Sequence, residues 1–394
     1  MKVLQLHAGY RVPAGEDTVV ASEADALTAG GHDVRRHVVS NPSELTGAIK
    51  ALSLSLHNPQ QARAVTAEIA EFEPDVVHVH NTWFALSSSV IGAAGAADVP
   101  VVMTLHNYRL GCLGADLFRG DAVCTACVGR LPLRGILHGC YRDSRLLSTV
   151  AAAEVSVTRR RGTLAGNVDR FVAPSGFMAD RLVEIGVPAD RLVVKPHFID
   201  DPGPRSAVPS TSNEVLFIGR LARGKGLESL LRAWEHVNRA GGPDDIELAI
   251  IGDGPLADEL REGAPRGVRF DGWLPRDDVI ARMLRARAFV FPSAWYEPFG
   301  MVLLEALAAG LPIIVTAASE APKITGAPES LVVPIGDERA LAGAISSLSD
   351  AAVDEIGAAN RDRYEAMYTP QVGLRLLEEL YAGVLQDAGG GPLR

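Results

Sequence analysis

The sequence predicts an α/β protein made of two doubly wound, Rossmann-like domains facing across a cleft. Three observations carry this prediction. The 394 residues exceed one comfortable core and match two domains of roughly 100–200 residues each. Apolar strand-like runs alternate with amphipathic stretches in both halves, as in a parallel sheet covered on both faces. Between the halves, "IDDPGPRSAVPSTSN" at 199–213 collects Pro, Ser, Gly and Asp without apolar periodicity, which reads as a linker.

In the first half (1–198) the expected strands are "KVLQLHA", "DVRRHVV", "DVVHVH", "PVVMTLH", "RFVAPS" and "RLVVKPH". A helix over "GEDTVVASEADALTAGG" ends at the pair Gly30–Gly31. An insertion at about 109–145 carries the cysteines. In the second half (214–368) strands are expected at "EVLFIGR", "IELAIIGDG", "VRFDGW", "AFVFPS" and "PIIVTA". Helices are expected from about Lys225, from Pro255, over "RDDVIARMLRAR" and from near Gly300. A last helix at 369–387 is expected to return toward the first domain, with 388–394 a disordered tail.

The composition, 47% apolar and 22% charged, is that of a soluble globular chain. A net charge of −10 argues against nucleic acid as a partner. Locally the balance reverses, with Arg130, Arg134, Arg142, Arg145, Arg159, Arg160 and Arg161 against only Asp143 and Glu154. Such a segment suits either a solvated face or a peripheral contact with an anionic membrane. The opening lacks the form of a secretory signal and no apolar run is long enough to span a bilayer. A cytoplasmic location, extending to the inner face of the membrane, is therefore expected.

Residues 295–312, "WYEPFGMVLLEALAAGLP", set Glu297 and Glu305 around the start of a helix. The first four amides of that helix lack intrahelical partners and, with the helix dipole, suit an anion such as a diphosphate. Glu305 lies among apolar neighbours and needs hydrogen-bond donors, which two adjacent ribose hydroxyls would supply. Glu297, on the other side of the anion site, would then meet a second sugar. This is the outline of a nucleotide sugar. Counter-charge is expected from Arg220 and Lys225 in "FIGRLARGKG", where Gly219, Gly224 and Gly226 permit close backbone approach.

Together "GRLARGKG", "IGDGP" at 251–255 and "EPFGMVLLEA" resemble the signature of the retaining glycosyltransferases of family 4, also called group 1. The segments "GEDTVVASEADALTAGGHDV", "PDVVHVHN", "TLHNYRL" and "APSGFMADRL" resemble the acceptor-side lobe of the same family. The resemblance implies the two-lobed GT-B architecture and a nucleoside-diphosphate sugar, UDP favoured, as donor. It assigns Arg220 and Lys225 to the diphosphate, Glu297 to the donor sugar and Glu305 to the ribose. Gly219, Gly252 and the backbone at Phe299, Gly300, Met301 and Val302 would border the donor. Gly15 would close over the phosphates and His106 would lie beside the reacting sugar. Where many members carry a Gly–Gly pair in the first loop, this chain has Ala14–Gly15. Retention of configuration is likewise implied by the family, with the leaving phosphate accepting the acceptor's proton and Glu297 orienting the sugar.

The protein's own cations make a catalytic metal unnecessary in this scheme. His78 and His80, alternating with valines, read as structural. Cys112, Cys124, Cys127 and Cys140, spaced C-x11-C-x2-C-x12-C, suggest a structural zinc, with reduced structural thiols as the alternative. The expected acceptor is a hydroxyl of a glycan, a glycolipid or a small natural product. A non-catalytic sugar-nucleotide-binding subunit and an epimerase or phosphorylase on the same scaffold are the competing functions.

Overall fold

Two all-parallel six-stranded sheets organise the chain in the computed structural model, which describes residues 1–9, 15–40, 55–239 and 246–389. In chain order the strands are β1 (Lys2–Gly9), β2 (Asp33–Ser40), β3 (Val76–Asn81), β4 (Val101–Thr104), β5 (Phe118–Arg119), β6 (Ala122–Val123), β7 (Arg170–Ala173) and β8 (Leu192–Val194), then β9 (Glu214–Ile218), β10 (Glu247–Ile251), β11 (Val268–Gly272), β12 (Ala288–Phe291), β13 (Ile313–Thr316) and β14 (Val332–Val333).

Unit 1 comprises Met1–Leu117, Thr125–Phe198 and Pro370–Arg394. Its sheet has the order β2-β1-β3-β4-β7-β8. The central strands β3 and β4 are buried along their whole length, which explains their near-continuous apolar sequence. The helix Gly15–Ala29 ends where Gly31 takes φ 83° and the His32 amide turns back to the Leu27 carbonyl at 3.0 Å. The last helix, Pro370–Gly389, packs Leu377, Tyr381 and Val384 into the core beside Val3, Leu27, Val76 and Phe198. It runs two residues beyond the expected end at 387, and residues 390–394 of the expected tail lie outside the described residues.

Unit 2 comprises Phe118–Cys124 and Ile199–Thr369. Its sheet, β11-β10-β9-β12-β13-β14, has the doubly wound order in which the chain reverses direction between its first strand, β9, and its fourth, β12. Apolar side chains cover both faces. Leu230, Trp234 and Ile345 lie on one face, and Leu303, Leu307 and Phe289 on the other.

One expectation is corrected. The insertion at 109–145 does not belong wholly to the first domain, because the hairpin β5–β6 groups with unit 2. There Asp121 pairs with Arg223 at 2.7 Å and the Phe118 ring lies against Gly224.

Candidate active site

In unit 2 the site grows from the two strands that flank the reversal of the sheet. Beyond β9 the chain turns through Gly219–Gly226, and beyond β12 it passes through Pro292–Gly300 into the helix Met301–Ala308. The two segments are pressed together. The Ala294 amide donates to the Gly224 carbonyl at 2.8 Å, and a Cβ on Gly226, at φ 76°, would sit 1.9 Å from the Pro292 carbonyl oxygen. Only glycine fits there. The same holds for Gly252, whose added Cβ would meet the Gly219 carbonyl at 1.9 Å, so its packing shapes the turn after β9.

This contact brings Lys225 onto Glu297, Nζ to Oε2, at 2.7 Å. The Trp295 indole N–H donates to the same oxygen at 2.6 Å, and the Lys225 ammonium sits 4.6 Å from the centre of the Trp295 ring. Arg220 is exposed and has no carboxylate partner among the described residues. Gly300, at φ 90°, caps the helix Met301–Ala308 without any side-chain hydrogen bond. The open amides and the uncommitted guanidinium leave this end of the sheet suited to an anion. Phe299 turns its ring into the core, against Tyr368 at 6.4 Å, and offers only its backbone to a ligand.

Glu305 lies one turn inside that helix, mostly buried, with Arg276 Nε 3.2 Å from its Oε1. Burial raises the pKa of its carboxyl and Arg276 partly opposes the rise. Arg276, from the helix Arg276–Met283, thus meets one oxygen of this carboxylate.

In unit 1, His106 follows β4, half-buried, its Nε2 3.2 Å from His80 Nδ1. Its ring stacks between those of His80 and His197 at 5.4 and 5.3 Å. Burial lowers the pKa of all three rings and keeps them neutral at physiological pH. Beneath them His78 donates or accepts at Tyr381 (2.7 Å) and Thr104 (2.8 Å), and burial pushes its pKa down to about 4. The Lys195 ammonium donates to Glu23 at 2.8 Å, both groups buried. Gly15 opens the first helix and is exposed, while residues 10–14 of the loop before it lie outside the described residues. The carboxylates of that first turn are engaged, Asp17 with His7 at 3.0 Å and Glu16 with the Asn107 amide at 2.9 Å.

Comparison with known proteins bears on the same elements. The family model "Glycosyltransferase Family 4" matches residues 14–201 and "Glycosyl transferases group 1" matches residues 212–351. The chain belongs to glycosyltransferase family 4. This glycosyltransferase is 28% identical to a glycogen synthase of Mycobacterium tuberculosis over 77% of its length and 68% of the relative's. It is also 28% identical to the 2-deoxystreptamine N-acetyl-D-glucosaminyltransferase of Streptomyces fradiae, over 89% of the chain and 80% of that enzyme. Its fold matches Anabaena Alr3699/HepE, solved in complex with UDP, with a TM-score of 0.67 at 17% identity, covering 97% of the chain and 100% of that structure. The architecture is thus that of the GT-B transferases.

Several contacts in each unit escaped the sequence reading. Trp295 stood beside the singled-out Glu297, but a Trp two residues from a carboxylate has no recognisable spacing rule. The pairing of Glu23 with Lys195 spans 172 positions and leaves no local trace. His78 and His80, expected to be structural, are members of a buried polar network. Glu23, His78 and His80 converge within 4.8 Å, as ligands of a metal ion would. The Lys195 ammonium on Glu23 already supplies positive charge at that point. The cysteines are half-buried and form no disulfide. Within unit 1, Cys112, Cys127 and Cys140 are not among the groups that converge closely enough to share an ion, so the structure gives the expected zinc no support.

Proposed function

We propose that this glycosyltransferase moves a hexosyl group, with retention of configuration, from a nucleoside-diphosphate sugar to an acceptor hydroxyl. UDP is the favoured base carrier, in keeping with the UDP bound by the similar Anabaena protein. The observation that carries the reading is the Lys225–Glu297 contact at 2.7 Å beside the open amides after Gly300. As the sugar–phosphate bond breaks, negative charge grows on the diphosphate and positive charge on the sugar ring. Lys225, Arg220 and the helix amides stabilise the first, so this scheme calls for no catalytic metal. Glu297 orients the donor sugar, and the departing phosphate accepts the acceptor's proton. Neutral His106 is assigned to the reacting sugar, where an imidazole without charge does not oppose the developing cation. Incubation with UDP-, GDP- and ADP-sugars and candidate acceptors, followed by NMR of the product's anomeric configuration, tests this. An inverted product, or isomerised donor without transfer, would overturn it.

Glu305 is assigned to the ribose hydroxyls. Glu305→Ala is expected to weaken binding of the nucleotide sugar about tenfold or more, the worth of a charge-assisted hydrogen bond of about 1.5–3 kcal/mol. Calorimetry with the intact donor measures it, and unchanged affinity removes the assignment.

The arginine-rich segment is assigned to a peripheral contact with an anionic membrane. Leu131, Leu133, Leu137 and Leu146 are 48, 64, 60 and 63% exposed and lie among Arg130, Arg134, Arg142 and Arg145. The Arg159 guanidinium donates to the Arg130 carbonyl at 3.3 Å and Arg145 donates to that of Leu137 at 3.0 Å, which lays the short helix Leu133–Leu137 along the helix Arg145–Arg160. The exposed arginines attract anionic headgroups at about 1 kcal/mol each, while the leucines enter the apolar boundary. No described helix is long and apolar enough to cross a membrane. The protein is expected to co-sediment with phosphatidylglycerol vesicles and not with phosphatidylcholine vesicles. Leu133→Glu with Leu137→Glu should abolish sedimentation, and equal sedimentation of the double variant would refute the contact.

A further inference from the structure

Unit 1 contains a cavity of about 160 Å³ that begins at the carboxyl ends of β3 and β4 and runs beneath the helix Arg145–Arg160. Its wall is mainly apolar, built from Met103, Leu105, Val155, Phe171 and Val187. Polar side chains also line it, among them Asn81, His106, Asn107, Arg109, Arg159 and a single acid, Glu154. Cavities of about 150 Å³ with aliphatic and aromatic walls bind benzene-sized molecules.

The wall is braced. The Arg159 guanidinium donates to the Leu110 and Ile185 carbonyls, both at 3.1 Å, and so ties two segments of the cavity's lining to the helix. Arg109 stacks 4.4 Å from the centre of the Trp83 ring and donates to the Leu113 carbonyl at 3.2 Å. Glu154, 5% exposed, has a buried Oε2 without a hydrogen-bond partner among the described residues. An apolar residue at 154 would fill the same space without leaving a polar atom unsatisfied. The carboxyl therefore calls for a ligand that hydrogen-bonds to it.

The surroundings narrow that ligand. Burial raises the Glu154 pKa to about 8, with Arg109 opposing, so at neutral pH the group is a carboxylic acid that both donates and accepts. A phosphate or carboxylate would face this acid, and the two guanidiniums of the wall are engaged, Arg109 with Trp83 and Leu113 and Arg159 with Leu110 and Ile185. An ammonium would be repelled by Arg109. A sugar ring would set hydroxyls against the apolar side chains of Met103, Leu105, Val155 and Phe171. A single ring with apolar faces and one hydroxyl at its edge satisfies the size, the apolar lining and the lone acid together.

We propose that this cavity binds a phenol or a cyclic alcohol as the apolar portion of the acceptor, its ring against Phe171 and Met103 and its hydroxyl on Glu154. Its assignment to the acceptor rests on the glycosyltransferase reading above; its occupancy does not.

The test uses the full chain with p-cresol and, as a ligand of the same shape without a donor, 4-methylanisole. Binding is followed by calorimetry and saturation-transfer NMR. The wild type should bind p-cresol about tenfold more tightly than 4-methylanisole. Glu154→Gln, which keeps a donor and an acceptor, should retain that preference. Glu154→Leu should bind the two alike, its fold checked by circular dichroism. Equal affinity of the wild type for the two probes, no binding of either, or a preference that survives in Glu154→Leu would each overturn the site. UDP binding and donor turnover are measured on the same samples. If p-cresol binds as described while no nucleotide sugar is turned over, the cavity stands and the transferase reading fails. If transfer proceeds and p-cresol neither binds nor competes, the cavity proposal alone falls.

Discussion

Lys225→Ala is expected to lower the turnover of donor sugar by about 10²–10³ while leaving the fold intact. The size follows from the loss of one preorganised cation where charge develops on the departing diphosphate, about 3–4 kcal/mol of transition-state stabilisation. Lys225 is partly exposed and touches Glu297 and the Trp295 ring, so its removal opens no core cavity and should cost little stability. Without it Glu297 keeps the Trp295 indole N–H as a partner. The kinetic signature is a fall in kcat that exceeds any rise in KM, since the charge Lys225 meets is larger in the transition state than in the bound donor. Steady-state kinetics with one donor and one acceptor measure it. Near-normal kcat would remove Lys225 from the chemistry. Lys225→Arg should recover only part of the rate, because a planar fork does not replace a compact ammonium on Glu297.

Lys195→Met is expected to destabilise unit 1 by about 3–5 kcal/mol, the cost of leaving a buried carboxylate without its cation. For a unit of this size that lowers its melting temperature on the order of 10 °C. The pH dependence gives an independent check. In the wild type, burial would raise the Glu23 pKa, but Lys195 and His78 outweigh it and hold the pKa below its ordinary value. Its contribution to stability is thus present above about pH 4.5 and is lost as pH falls through the lowered value. The buried neutral imidazoles act in the same direction. Their folded pKa values lie below the ordinary 6.5, so below that pH the unfolded chain binds more protons, and each ring removes about 1.4 kcal/mol per pH unit. A steep acid limb below about pH 6.5 follows.

In Lys195→Met the Glu23 share changes sign. Burial then holds the carboxyl protonated, and stability falls as pH rises above about 4.5. The double variant Glu23→Leu, Lys195→Met should recover most of the loss, because an apolar pair of similar volume carries no desolvation penalty. Thermal melts across pH 4–8 distinguish these cases. A double variant no more stable than Lys195→Met would show that the pair does not act as a unit.

Particular residues mark how far the sequence could be read. Arg220, Lys225, Glu297 and Glu305 were legible because each sits within a few positions of a glycine turn or a helix start. Local backbone rules confine such residues to the end of a strand. The partner of each was less legible. That Lys225 would rest on Glu297, and Arg276 on Glu305, depends on which strands become neighbours, and β9 meets β12 only after two intervening strands have gone to the other side. The cysteine spacing suggested a shared ion, but spacing along a chain does not by itself fix where sulfurs arrive in the fold. The Glu154 cavity left no signal at all, since a single acid in an apolar helix looks like a solvent-facing residue until the helix is packed.

By itself the sequence determined the alternation of strands and helices, the two parallel sheets and the family, because these depend on side-chain periodicity and turn chemistry within some ten to twenty residues. Only the tertiary structure decided the buried Glu23–Lys195 and histidine network, the seating of Lys225 and the cavity beneath the helix Arg145–Arg160. These arise where segments distant in the chain are brought together, and the energies that select them come from desolvation and close contact.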